Sequence, residues 1–132
     1  MSDWKQPLRL VEQLDAEGNI EDKGVGKLID AVDEARGLSE NLKCDELLAF
    51  ATSAVRSATN SEAVLKKVEK KTGVALKVIS GEEEARTTFQ AVRRWYGWSA
   101  GRITNLDIGG GSLELSTGSE EVPDLALSLI HI

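Results

Sequence analysis

Cysteine is almost absent. Cys44 stands alone among 132 residues, so no internal disulfide can form and nothing points to an oxidising compartment. No apolar run approaches the ~20 residues that a membrane-spanning helix needs. The first ten residues, MSDWKQPLRL, contain no apolar signal-peptide core either. These absences predict a cytoplasmic location and no membrane partner. Positive charge is also in deficit: 16 Lys and Arg stand against 22 Asp and Glu, for a formal net charge of −6. That balance argues against broad, nonspecific nucleic-acid binding, which needs basic stripes over the phosphates. A small phosphate site is not excluded, since a few arginines, backbone N–H groups and a metal ion reverse the potential locally. Arg56, Arg86, Arg93 and Arg94 are the candidates. No internal repeat, low-complexity tract or linker interrupts the chain, which is one domain's worth at most.

What is present is alternation between two periodicities. Leu8, Leu10, Val11 and Leu14 predict a strand, closed by the turn signal Asp15-Ala16-Glu17-Gly18-Asn19. Val25, Leu28, Ile29, Val32, Ala35, Leu38 and Leu42 recur at helical intervals and predict a long amphipathic helix. Gly24, Gly26 and Gly37 weaken it by about 1 kcal/mol each relative to alanine. Residues 47–51 read as a short buried strand. Asn60 or Ser61 caps a helix through Val64, Leu65 and Val68 that stops at Gly73, and residues 74–79 give another strand. Ser80 and Gly81 then lead into Glu82-Glu83-Glu84, an acidic first turn suited to a helix N-terminus. Ala85, Thr88, Phe89, Val92 and Trp95 or Tyr96 form the inner face of that helix. Residues 102–108 read as a strand and 113–116 as its hairpin partner. Strands alternating with helices predict an α/β domain.

Three segments carry chemistry. In Asn105-Leu106-Asp107-Ile108-Gly109-Gly110-Gly111-Ser112-Leu113-Glu114, an apolar strand delivers an aspartate and then consecutive glycines. Glycines permit φ > 0 and remove Cβ atoms, so N–H groups can approach an anion. Asp107 suits a hard divalent cation or its water, and Glu114 reaches the same cluster across a tight hairpin. The segment is neither the dinucleotide fingerprint nor a P-loop, since no helix-opening G-x-G-x-x-G and no Lys-Ser/Thr occur there. It also reads as a plain glycine-rich turn with a capping aspartate. In Ser80-Gly81-Glu82-Glu83-Glu84-Ala85-Arg86, a carboxylate at a helix start can act as general base toward water. The plainer reading is an acidic turn stabilised by the helix dipole at ~0.3–1 kcal/mol per charge. In residues 50–60, small and hydroxyl-bearing, Thr52 or Ser53 caps a short helix, and Arg56 is either a surface charge or a phosphate clamp.

Taken in order, ATSAVRSATN, ISGEEEAR and LDIGGGSLE resemble the Ppx/GppA phosphatase family, and the resemblance runs from Asp3 to about Leu129. It implies an α/β fold of the ribonuclease-H-like, actin-like ATPase superfamily, here a partial domain with a mixed sheet flanked by helices. It implies removal of the terminal phosphate of inorganic polyphosphate, or of the γ-phosphate of guanosine pentaphosphate, with magnesium (Mg2+) as cofactor. By motif position, Glu84 matches the proposed catalytic base. Asp107 and Glu114 match the acidic residues associated with metal and water. Gly109, Gly110, Gly111 and Ser112 match the phosphate loop, and Arg56 the phosphate-contacting arginine. Relatives are often homodimers.

The sequence also departs from that pattern. Leu113 stands where many relatives carry threonine. The family's first strand, with its D-x-G-S-N motif, is expected before the residues seen here. Residues 1–126 are therefore expected to be a partial N-terminal domain lacking that strand, inactive alone. Residues 127–132, Leu-Ser-Leu-Ile-His-Ile, match the translation of a transposase end sequence used in sequencing libraries and are expected to be non-native. His131 then carries no functional meaning. Two other functions stay open: a non-catalytic phosphate- or nucleotide-binding module, and an actin-like kinase or ATPase domain, against which ISGEEEAR favours the phosphatase.

Overall fold

The computed structural model describes residues 3–130, which fall into two compact units divided between Val78 and Ile79. The first unit opens with a 3-10 turn, Leu10–Gln13, where the apolar spacing predicts a strand. Arg9 takes left-handed angles (φ 49°, ψ 48°), which reverse the chain and break any extended run through it. A single antiparallel bridge, Leu14 to Ile20, is what pairs around the following turn. In that turn the Asp15 carboxylate accepts from the Asn19 amide (3.0 Å) and from the backbone N–H groups of Asn19 (2.8 Å) and Glu17 (3.0 Å). These donors, the Asn19 side chain foremost, hold Asp15 below the usual carboxylate pKa.

Helix α1, Asp22–Asn41, forms as its stripe predicts and buries Val25, Leu28 and Ala31. Gly24 has a packing reason to be there, since a Cβ would lie 2.8 Å from that of Gln13. Strand β1 (Phe50–Ala51), the one-turn helix α2 (Ser53–Arg56), helix α3 (Ser61–Thr72) and strand β2 (Lys77–Val78) follow. The two strands pair in parallel, Phe50 opposite Lys77 and Ala51 opposite Val78. Both are shorter than the sequence predicts. Thr72 Oγ1 takes the Val74 N–H at 3.1 Å, and ahead of β1 the pairing extends only to the Ala49 carbonyl, which accepts from the Lys77 N–H at 2.9 Å. α1 packs on α3, and Leu10, Ile20, Val25, Leu28, Val64 and Val68 centre the core. Asn60 precedes α3 without capping it. Its side chain instead accepts from the Ile20 N–H and donates to the Ile20 carbonyl, both at 2.9 Å.

The second unit is helix α4 (Gly81–Tyr96) laid against an antiparallel meander, β3 (Ile103–Ile108), β4 (Ser112–Gly118) and β5 (Leu125–Ile130), in that spatial order. β5 is absent from the sequence-based expectation. Residues 127–130 of the segment expected to be non-native pair in register with β4, and 131–132 lie outside the described residues. The sheet is inverted with respect to the usual polarity rule. Its face toward α4 carries Asn105, Asp107, Ser112, Glu114, Ser116 and Ser128, with Ile103 and the buried Ala126 among its apolar members. The opposite face carries Leu106, Ile108, Leu125, Leu127 and Leu129, and Ile108 is 78% exposed.

Candidate active site

Strand register decides what the second unit brings together. In β3 and β4, Asp107 stands directly opposite Glu114, so the two carboxylates leave the same face of the sheet, beneath α4. Glu114 in turn stands opposite Ser128 of β5. The Ser128 hydroxyl donates to Glu114 Oε1 at 2.8 Å, and Glu114 is 1% exposed. Asp107 is half-buried, and Thr88 of α4 donates to its Oδ2 at 3.1 Å. Each carboxylate thus receives one hydroxyl, Asp107 from α4 and Glu114 from β5. Burial of an ionised carboxylate is costly without such donors.

The glycine hairpin is built differently from the sequence-based picture. The Gly109 N–H donates to the Ser112 carbonyl at 3.0 Å and closes the turn, so this amide is engaged in structure. Neither Gly109 nor Gly110 occupies the left-handed region. Gly110 faces open space: no atom lies within 4 Å of where its Cβ would be, and it is exposed. Ser112 is buried on the inner face, one register step from Leu113, which pairs with Ile108.

The acidic start of α4 resolves into separate tasks. Ser80 Oγ accepts from the Glu83 N–H (3.1 Å), and Glu83 Oε2 accepts from the Ser80 N–H (2.8 Å), a complete capping box. Glu82 pairs with Arg86 at 2.8 Å, one turn on. Glu84 is half-buried beside the fully buried Ala85, on the side of the helix that continues through Thr88. Arg56, the predicted phosphate clamp, is the last residue of α2 and belongs to the first unit.

The donor set suits magnesium in a particular way. Among the described residues no group of three or more Asp, Glu, His or Cys could hold a metal. Two hard carboxylates in adjacent register fit a cation that takes one or two of them and completes its shell with water and substrate phosphates. The apolar groove of the first unit, about 330 Å³ and lined by Trp4, Leu8, Leu28, Phe50 and Leu76 among others, holds no charged side chain and suits no anion. No helix among the described residues is long and apolar enough to cross a membrane. Sequence reasoning missed Thr88 and Ser128 as carboxylate partners. It also missed half-buried Asn105 and buried Ser116, opposite each other in register, whose Nδ2 and Oγ atoms are buried without a hydrogen-bond partner among the described residues. The polar–apolar alternation over residues 105–108 and 112–116 was the available signal for β3 and β4, and β5 with its single Ser128 offered none.

Comparison with known proteins follows the same lines. The family model described as Ppx/GppA phosphatase family matches residues 1–130. Exopolyphosphatase 1 of Mycobacterium tuberculosis is 59% identical over 129 residues, covering 98% of this chain and 38% of the relative. The crystal structure of the Aquifex aeolicus Ppx/GppA family member superposes with a TM-score of 0.78 at 27% identity, over 93% of this chain and 40% of that one. An exopolyphosphatase from Cytophaga hutchinsonii gives 0.77 at 25% identity, over 86% and 36%. This chain therefore spans well under half the length of the relatives it matches. The fold is the α/β, actin-like ATPase type of those proteins, with parallel and antiparallel pairing carried by separate sheets. By sequence over nearly its whole length and by fold, the chain belongs to the Ppx/GppA phosphatase family.

Proposed function

We propose that this chain forms part of the active site of an exopolyphosphatase, in which water attacks the terminal phosphate of an inorganic polyphosphate. The observation that carries the proposal is the opposition of Asp107 and Glu114 across a hairpin whose turn is open glycine. Polyphosphate is favoured over guanosine pentaphosphate because relatives at 59% identity are exopolyphosphatases by name.

The reaction needs charge neutralisation and an oriented water more than covalent chemistry. The water oxygen bonds to the terminal phosphorus, the bridging P–O bond breaks, and the shortened polyphosphate leaves with the electron pair. Glu84, half-buried at the start of α4, takes the water proton. Asp107 and Glu114 would hold Mg2+, which would supply positive charge against the phosphate oxygens. Open space at Gly110 leaves room for an anion beside the turn's backbone, and Arg56, by its motif position, is the phosphate-contacting arginine of this reading. Because the chain spans 38% of its Mycobacterium tuberculosis relative, the 132 residues by themselves are expected to release no phosphate.

The test places this chain in the corresponding segment of that relative and follows magnesium-dependent phosphate release from polyphosphate. The chimera is expected to be active, and Glu84→Gln to slow it roughly 10²–10⁴-fold. Unchanged release by Glu84→Gln removes Glu84 as the base. A folded chimera without activity, beside an active parent, overturns the assignment of this chain to that chemistry.

A further inference from the structure

Adjacent threonines on α4 use their hydroxyls in opposite ways. Thr87 Oγ1 donates back to the Glu83 carbonyl, 2.8 Å away within its own helix. That is the ordinary fate of a helical threonine, which gains little from it. Thr88 Oγ1 reaches out of the helix to Asp107 Oδ2 at 3.1 Å, a contact nineteen positions along the chain. Threonine is a mediocre helix former, stiff at χ1. Its placement at a half-buried helical position is explained by this outward bond. Thr88 also lies one turn from Glu84, on the flank of α4 that borders Ala85 and Phe89, both fully buried.

We propose that Thr88 is a positioning residue: its hydroxyl fixes the Asp107 carboxylate and ties the helix carrying Glu84 to the strand carrying Asp107. The inference rests on the proposed role of Asp107 in binding a divalent cation. One bond then does two things. It sets which Asp107 oxygen turns away from α4 and is left for a cation, and it limits sliding of α4 along β3. Hydroxyl partners of metal-binding carboxylates are worth about 10–100-fold in metal affinity when removed.

The test uses the full 132-residue chain, isotopically labelled, with manganese as a paramagnetic probe and Asp107 side-chain couplings as a second readout. In the parent chain Asp107 holds one rotamer, and manganese broadens the Asp107 and Glu114 signals. Thr88→Val keeps the shape and removes the donor. It is expected to average the Asp107 rotamers and weaken manganese binding ~10–100-fold, while Thr88→Ser restores both. Thr88→Ala provides a second donor-free variant should the valine perturb folding. Manganese binding and an Asp107 rotamer unchanged in both donor-free variants overturn the positioning role. No manganese effect at Asp107 in the parent chain, with Asp107→Asn identical to it, overturns the cation reading. The rotamer comparison then still shows whether Thr88 holds Asp107, so the two failures are distinct.

Discussion

Arg93 is 1% exposed and faces no carboxylate among the described hydrogen bonds and ion pairs. Its guanidinium donates to three glycine carbonyls: Gly97 (3.3 Å), Gly101 (2.7 Å) and Gly118 (2.8 Å). The Phe89 and Trp98 rings lie 5.6 and 5.8 Å from its Cζ. A planar fork over aromatic faces is something lysine cannot supply. Nε is left without a partner, so the site is held by its outer nitrogens alone. Arg93→Lys is expected to destabilise the second unit by about 2–4 kcal/mol, through the loss of charge-assisted bonds and a Gly118 carbonyl left buried. Urea unfolding followed through β4 amide signals measures this, and an unchanged midpoint would show the fork to be dispensable. At the same scale, Asp15 ties pH to the 15–19 turn. Its pKa is lowered in the folded chain, so its contribution is present above its unfolded value and fades as pH falls through the folded one.

Helix α4 shows how much an element's beginning depends on a few atoms. Ser80→Ala removes one half of the capping box and is expected to cost about 1 kcal/mol. Glu83→Gln, which keeps an acceptor, is expected to cost less. Thermal unfolding of the two variants compares them, and equal losses would argue against the reciprocal box. This helix start was legible in sequence from its acidic first turn, a local signal, although the Ser80–Glu83 box itself was not read. So were α1 and α3, whose apolar spacing at three and four residues admits few alternatives. The apolar residues from Leu8 to Leu14 were misleading, because their spacing also suits a tight turn once Arg9 goes left-handed. Asp107 and Glu114 were legible as a pair because a short glycine turn leaves little freedom of register. Thr88 and Ser128 were not, since tertiary packing alone chooses their partners. Alternation along β3 and β4 was open to reading, but which face goes inside was not, and β5 was not anticipated. The polar one is buried here, beneath α4, where the candidate chemistry lies.

On the scale of the molecule, that inversion leaves an apolar sheet surface open. Leu106 is 60% exposed, and Ile108, Leu125, Leu127 and Leu129 share its face. A contiguous surface of this kind is unusual on a folded chain. The 132-residue chain is expected to bind an apolar fluorescent dye under native conditions, and Leu106→Lys with Leu127→Lys to reduce the signal severalfold. Unchanged fluorescence would place the bound dye elsewhere. The two units also differ in how far along the chain their pairing reaches. In the meander each strand meets the next one made, across short turns, so little chain must be gathered before a bond repays it. The parallel pair in the first unit joins Phe50 to Lys77 only after the chain has travelled through α2 and α3. Its loop-closure entropy is the larger, and two residues of ladder repay it poorly until the helices are packed. The smallest sheet in the molecule is therefore the one whose formation waits on everything around it.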